Sequence, residues 1–297
     1  MRKIFFLFCL LSTLVVKGQE QGTVEVVTAG TLQSLLEEKG LTSAEQLKLI
    51  GNLNGADIRT IRHLCGGHDE VSGEENITTT LRILDLSDAR IVEGGGNYYN
   101  DSMYELSPYR YTTSLDVITW YMFAYCSSLE EVTLPKSVHS INAMAFYCSG
   151  VKTVNVSEGT VDISRWAFYG CSSLSTIILP STVQFIDVCS FAECPALCKV
   201  ISNSVVPPTA SETVAGERAD MSHCLLLVPA GSIDSYSNAF FWKDFESVGE
   251  IVTGIRPSER GSVAIREVYD VVGRRINMSQ PGLKIIRQSD NNILKTR

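Results

Sequence analysis

The grouping of ligand-type side chains that stands out in the sequence is His63, Cys65, His68 and Asp69, in RHLCGGHDE. A structural zinc site normally offers two well-spaced ligand pairs, and a helix that ends in a Gly-Gly turn leaves the same letters. No metal site is therefore expected. The chain has only four histidines, and it carries neither G-x-S-x-G nor H-E-x-x-H. EGGGN, at 93–97, lacks the Lys-Ser/Thr and helix that a phosphate-cradling loop needs. A Cys-His nucleophile is no better supported. Cys126, Cys148 and Cys171 recur at the phase of apolar residues, where a thiol packs as a small, inert hydrophobe. No catalytic residue and no cofactor is expected.

The recurrence of those cysteines belongs to a longer pattern. Phe123, Phe146, Phe168 and Phe191 follow one another at 23, 22 and 23 residues. Leu129, Val151, Leu174 and Leu197 keep step, as do Val132, Val154, Ile177 and Val200, and as do Ile118, Ile141, Ile163 and Ile186. A fixed period with apolar residues at constant phase marks a solenoid whose units cannot bury an apolar face alone. Each unit reads as a corner at Phe and Cys, then an L-x-x-V-x-L strand that Pro135 or Pro180 stops by its missing N–H. Stacked copies would pair these strands in parallel into one curved sheet.

The units WYMFAYCSSLEEVTLPKSVHSI (120–141) and RWAFYGCSSLSTIILPSTVQFI (165–186) resemble the BspA-type leucine-rich repeats of bacterial surface proteins. Two copies depart from the A-F-x-x-C-x-S-L-x-x-I-x-L-P pattern. One is a residue shorter between Phe146 and Cys148 and has Val156-Ser157 for Leu-Pro; the other has Ile201-Ser202, then Pro207-Pro208. LRILDLSDARIV (81–92) is similar to an earlier strand, and CLLLVPAGSIDSYSNAFFWKDFESVGEI (224–251) to the closing segment of such proteins. The resemblance implies a secreted or surface-exposed binding protein of Gram-negative anaerobes related to Bacteroides, with no implied reaction.

The rest of the chain fits that outline. MRKIFFLFCLLSTLVVKG (1–18) has the charge, apolar run and small end residue of a cleaved signal peptide, and Cys9 lies inside the apolar run, so no lipid anchor is expected. Its removal takes away three positive charges, leaving 22 Lys and Arg against 33 Asp and Glu, a net of −11. That balance excludes nucleic acid and anionic lipid as natural partners. No transmembrane segment is read. Residues 19–80 would form an N-terminal cap with a degenerate repeat strand at Gln46 to Ile50, a helix capped by Thr31 and a second capped by Asp57. The repeats run over 81–209, with an insertion at 92–116 that holds three consecutive glycines and five tyrosines. A C-terminal cap would follow at 210–252, then a small antiparallel β tail at 253–297 that resembles sorting domains of Bacteroidetes secretion systems. Export permits disulfides, and Cys189, Cys194, Cys198 and Cys224 crowd the end of the array, but sequence does not fix a pairing.

Function is therefore sought on the varying outward positions between the constant ones: Glu131 and Thr133, Thr153 and Asn155, Thr176 and Ile178, Lys199 and Ile201. On the concave face they would make one patch for an extracellular protein or glycan, such as a host's, bound by a monomer. The alternative is a carbohydrate-binding accessory or glycan-processing protein that grips sugar rings with Tyr98, Tyr99, Tyr104, Tyr109 and Tyr111. Against it stands the simpler expectation that these tyrosines cover the solenoid's side.

Overall fold

The structure is a computed structural model that describes residues 21–67, 80–99, 111–211, 213–216 and 221–251, and the backbone of 265–270, 284–288 and 293–296. The expected signal peptide and His68, Asp69, Tyr104 and Tyr109 lie outside the described residues.

The chain opens as β1 (Gln21–Val26), α1 (Leu32–Lys39), β2 (Gln46–Leu53), α2 (Gly55–Leu64) and β3 (Ile83–Ile91). Alternation in β1 buries Val24 and Val26 and leaves Thr23 and Glu25 outside. Thereafter each turn of chain gives one strand to each of two sheets. The first sheet receives β5 (Glu131–Thr133), β7 (Thr153–Asn155), β9 (Thr176–Leu179), β11 (Lys199–Ser202), β13 (Leu225–Val228) and β14 (Ser247–Glu250). The second receives β4 (Val117–Ile118), β6 (Ser140–Ile141), β8 (Asp162–Ile163), β10 (Phe185–Ile186) and β12 (Thr209–Ala210). From β1 to β14 the neighbours of the first sheet pair in parallel, as do those of the second. These two parallel sheets fit a repeat solenoid. At the C-terminus the backbone of β15 (Ile265–Asp270), β16 (Lys284–Gln288) and β17 (Ile293–Thr296) pairs antiparallel.

The interior is built from the periodic columns. Phe123, Phe146, Phe168 and Phe191 stack with centroids 5.2, 5.0 and 5.6 Å apart and planes tilted by 23°, 14° and 16°. Strand spacing of about 4.8 Å brings like residues of successive turns into contact, so one residue type repeated at one phase becomes one continuous column. Val132, Val154 and Ile177 fill the first sheet's inner face, and Ile118, Ile141, Ile163 and Ile186 the second's, all fully buried.

The corner that carries each Phe has an unusual backbone. Two left-handed residues stand four apart in every turn: Tyr121 and Tyr125, Met144 and Cys148, Trp166 and Gly170, Cys189 and Glu193, with φ between 51° and 71°. Only one of the eight is glycine, although this region is costly for a residue with a Cβ. The turned peptides aim their N–H groups along the stack. Phe123 donates to Ala145 O at 2.7 Å, Phe146 to Ala167 O at 2.8 Å and Phe168 to Ser190 O at 2.9 Å. Tyr125 likewise donates to Tyr147 O, Cys148 to Tyr169 O and Gly170 to Ala192 O. Buried corner amides are thereby satisfied by the next turn.

These positions correct the alignment of one repeat. The thiol column is Cys126, Ser149, Cys171 and Cys194, each three residues after its Phe. Ser149 is buried and its Oγ lies 3.4 Å from Cys171 Sγ. Cys148, expected inside, is exposed, because it holds the left-handed position that Gly170 takes one turn later.

At the end of the array Ser202 stands where Leu134 and Leu179 stand in other turns, and its Oγ is 2.7 Å from Tyr236 Oη. Tyr236, from α3 (Ile233–Asn238), also donates to Ser204 O, while Trp242 Nε1 donates to Pro208 O at 2.8 Å. A polar pair and a buried indole thus close the last turn.

Candidate functional site

Strand alternation alone sends Glu131, Thr133, Thr153, Asn155, Thr176, Ile178, Lys199 and Ile201 outward, opposite the buried column. All eight are half-buried. The register places Glu131, Thr153, Thr176 and Lys199 side by side, and Thr133, Asn155, Ile178 and Ile201 in a second row. Asn155 Nδ2 donates to Thr133 Oγ1 at 3.3 Å across one strand boundary. The structure therefore brings all eight into one surface.

That surface is longer than the four repeats. Gln46 and Lys48 of β2 align with Ile83 and Asp85 of β3, which align with Glu131 and Thr133. At the other end Lys199 and Ile201 align with Leu225 and Leu227. Sequence reading passed over these positions, although LRILDL and CLLLV carry the same alternation. The extension changes the character of the face. One row runs Gln46, Ile83, Glu131, Thr153, Thr176, Lys199 and Leu225; the other runs Lys48, Asp85, Thr133, Asn155, Ile178, Ile201 and Leu227, charged at its start and aliphatic at its end.

Charges near the first end are paired. Lys48 Nζ lies 3.1 Å from Asp85 and 2.7 Å from Asp88, and Lys136 Nζ lies 2.8 Å from Asp88. The hydrogen bonds from Lys136 and Lys48 hold the Asp88 carboxyl down at about 2. Along the sheet edge Arg82, Glu130 and Lys152 form a ladder, with contacts of 2.6 and 2.9 Å, in which Lys152 keeps Glu130 below its ordinary range.

The described tyrosines of the insertion, Tyr98, Tyr99 and Tyr111, pack inward. Tyr98 and Tyr99 are each 1% exposed and Tyr111 is 9% exposed. Tyr98 Oη lies 2.7 Å from Thr119 Oγ1 and donates to Trp120 O at 2.6 Å. Tyr99 stacks on Tyr121 with centroids 5.1 Å apart and meets Tyr111 edge-on at 5.0 Å. These rings cover the side of the first full turn, so their faces are already occupied. The glycine run has a structural use as well. Gly94, Gly95 and Gly96 all take positive φ, and the loop lies on the N-terminus of α2, where a Cβ on Gly95 would come within 2.3 Å of Asn54 Oδ1. Gly55 N donates to Gly94 O at 2.9 Å.

The ligand-type pair His63 and Cys65 is not gathered into a site among the described residues. His63 is exposed and Cys65 fully buried, so the two described members of that cluster diverge. No group of three His, Cys, Asp or Glu is placed to hold a metal among the described residues. Burial pushes the thiols of Cys171 and Cys224 up to about 12, and it raises Cys148 and Cys194 as well. A thiol held protonated is a poor nucleophile. The described cysteines are all free. At the end of the array Cys194 turns into the column and donates to Phe168 O, while Cys198 faces solvent.

Two parallel sheets built turn by turn, with a closed end, define a repeat scaffold. Residues 96–209 match the family described as BspA type leucine rich repeat region, in six copies. A leucine-rich cell surface protein from Faecalibacterium prausnitzii A2-165 is similar at 15% identity over 62% of this chain and 60% of that one, with a TM-score of 0.25. The chain thus spans about 60% of that protein's length. No curated protein matches. No enzymatic family is indicated, and no described helix is long and apolar enough to cross a membrane.

Proposed function

We propose that this chain is an exported, cell-surface binding or adhesion protein that engages an extracellular protein through the outward face of its long parallel sheet. The observation that carries this reading is the graded face itself. Solenoids use such extended surfaces for partners. The row Lys48, Asp85, Thr133, Asn155, Ile178, Ile201 and Leu227 offers a charged end and an aliphatic end. Burial of such aliphatics against a partner is favourable at about 25 cal/mol per Å², and a protein surface supplies apolar matter more readily than a glycan does. The repeat match and the described surface-protein relative are consistent with display outside the cell. The residue pattern of 1–18 supports export, and the tail at 253–297 is proposed as its sorting module.

Immobilised full-length protein should be screened in parallel against extracellular-matrix proteins and a glycan array. Binding to a protein, lost on simultaneous Glu131→Ala, Asn155→Ala and Lys199→Ala substitution, is expected. Binding confined to glycans would overturn the protein assignment. Undiminished binding by the triple variant would move the site off this face.

A further inference from the structure

Two cysteines that no repeat requires to be near one another meet at the junction between the N-terminal unit and the first corner of the array. Cys65 follows α2, whose last turn ends with Gly66 in the left-handed conformation at φ 75°. Gly67 N then returns to Arg62 O at 2.8 Å. That Schellman-like closure holds Cys65 against the first repeat, and Ser128 N donates to Cys65 O at 3.1 Å. Cys126 reaches the same spot from the Phe123 corner. A Cβ on Gly67 would stand only 3.1 Å from Cys126 Sγ, so the glycine leaves the space this sulfur uses. Both cysteines are fully buried; burial first and then the neighbouring Cys126 push the Cys65 thiol up, and its Sγ donates to Ile61 O at 3.0 Å.

We propose that Cys65 and Cys126 form a disulfide that fastens the N-terminal unit to the first repeat when the chain folds under oxidising conditions. Cys171 donates to Phe146 O at 3.0 Å and Cys194 to Phe168 O at 3.1 Å, carbonyls of the preceding turn, whereas Cys65 donates to Ile61 O within its own helix. Cys148 and Cys198 face solvent.

The oxidant is an external disulfide, such as oxidised glutathione or the disulfide of a thiol oxidase. One cysteine, as thiolate, attacks an external sulfur, giving a mixed disulfide and releasing one thiol. The second cysteine, as thiolate, then attacks the first cysteine's sulfur in that mixed disulfide and releases the second external thiol. Two S–H bonds of the chain and one external S–S bond become one internal S–S bond and two external thiols, so protons and electrons balance. Burial pushes the Cys65 thiol up in the folded chain. The exchange therefore belongs to folding, before the junction closes, and the finished bridge is shielded from reductant.

The bridge closes the segment between α2 and the first corner, which reduces the freedom of the unfolded chain. Full-length protein should be unfolded in reductant, refolded against a mixture of reduced and oxidised glutathione, alkylated, digested without reduction and analysed by mass spectrometry. A cross-linked peptide pair containing Cys65 and Cys126 is expected, together with a melting temperature several degrees above that of the reduced chain. That increment should vanish in Cys126→Ser. Recovery of both cysteines alkylated from the folded, oxidant-treated chain would overturn the proposal, and so would bridging of either one to a different cysteine. The peptide readout uses the unmodified sequence, so it decides the matter even if Cys126→Ser does not fold.

Discussion

The guanidinium carbon of Arg62 lies 4.7 Å from the centre of the Tyr99 ring. Arg62 is 1% exposed, and its Nη1 donates to Tyr121 O at 2.7 Å, Ala124 O at 3.0 Å and Met122 O at 3.3 Å. A helix side chain from the N-terminal unit thus organises the carbonyls of the first repeat corner, and an insertion tyrosine covers it. The cation replaces the donors that a preceding repeat would supply.

Arg62→Leu is expected to destabilise the fold by about 1.5–3 kcal/mol or more, the range for losing a hydrogen bond to a charged group, since the carbonyls lose their donor. Arg62→Lys should not restore stability, because an ammonium lacks the planar fork. Urea unfolding of both variants checks this, and a lysine variant equal to the parent would refute the clamp.

Phe168→Ala should cost about 3–5 kcal/mol, the usual result of deleting a buried ring. Phe168 stacks on both Phe146 and Phe191. Hydrogen exchange should therefore speed up in the turns on either side of the cavity.

Gly170→Ala combines φ of 71° with a Cβ placed 2.7 Å from Cys148 Sγ. The left-handed conformation alone costs about 1–2 kcal/mol for a residue with a Cβ. A lowered thermal midpoint is expected, and the double variant with Cys148→Ala should recover the part due to the sulfur contact.

Acid should weaken the charged end of the face first. Asp88 is held at about 2 by Lys136 and Lys48, against an ordinary 3.8, and Arg90 lowers Asp116. A carboxyl depressed in the folded state contributes stability above its unfolded value and loses it as pH falls through the folded one. The loss therefore belongs to the window from about 4 down to 2. Asp88 is exposed and Asp116 half-buried, so added salt should flatten chiefly the Asp88 part of the dependence. Chemical denaturation at several pH values, with Lys136→Met as comparison, measures it.

Much of the repeat could be read from its period, because each column needs one residue type at one phase. The Phe column and the outward rows follow from that alone. Cys148 was misplaced because alignment by residue type favoured a cysteine over Ser149, and only the left-handed backbone distinguishes the two. The start of the first helix was legible but not its capping chemistry. Helix α1 does begin after Thr31, yet its first N–H at Leu32 is received by Asp57 Oδ1 from the next helix, at 2.9 Å. Asn54, not Asp57, caps α2, with Asp57 completing the capping box from its third position. Nothing local marks Arg62 for burial, since its partners are contributed by residues 121–124, far along the chain.

The corner ladder also bears on how such a chain can change length. Because Phe123, Phe146 and Phe168 each donate to the same relative position one turn onward, both cut ends of a whole excised unit present matching donors and acceptors. Excision from Asn142 to Ile163 would rejoin Ile141 to Ser164 with every column in phase, whereas removal of half that span would set phenylalanine against strand. Growth and shrinkage of this protein are thus restricted to whole turns, and a duplicated turn would lengthen the outward face by one strand without redesigning either end.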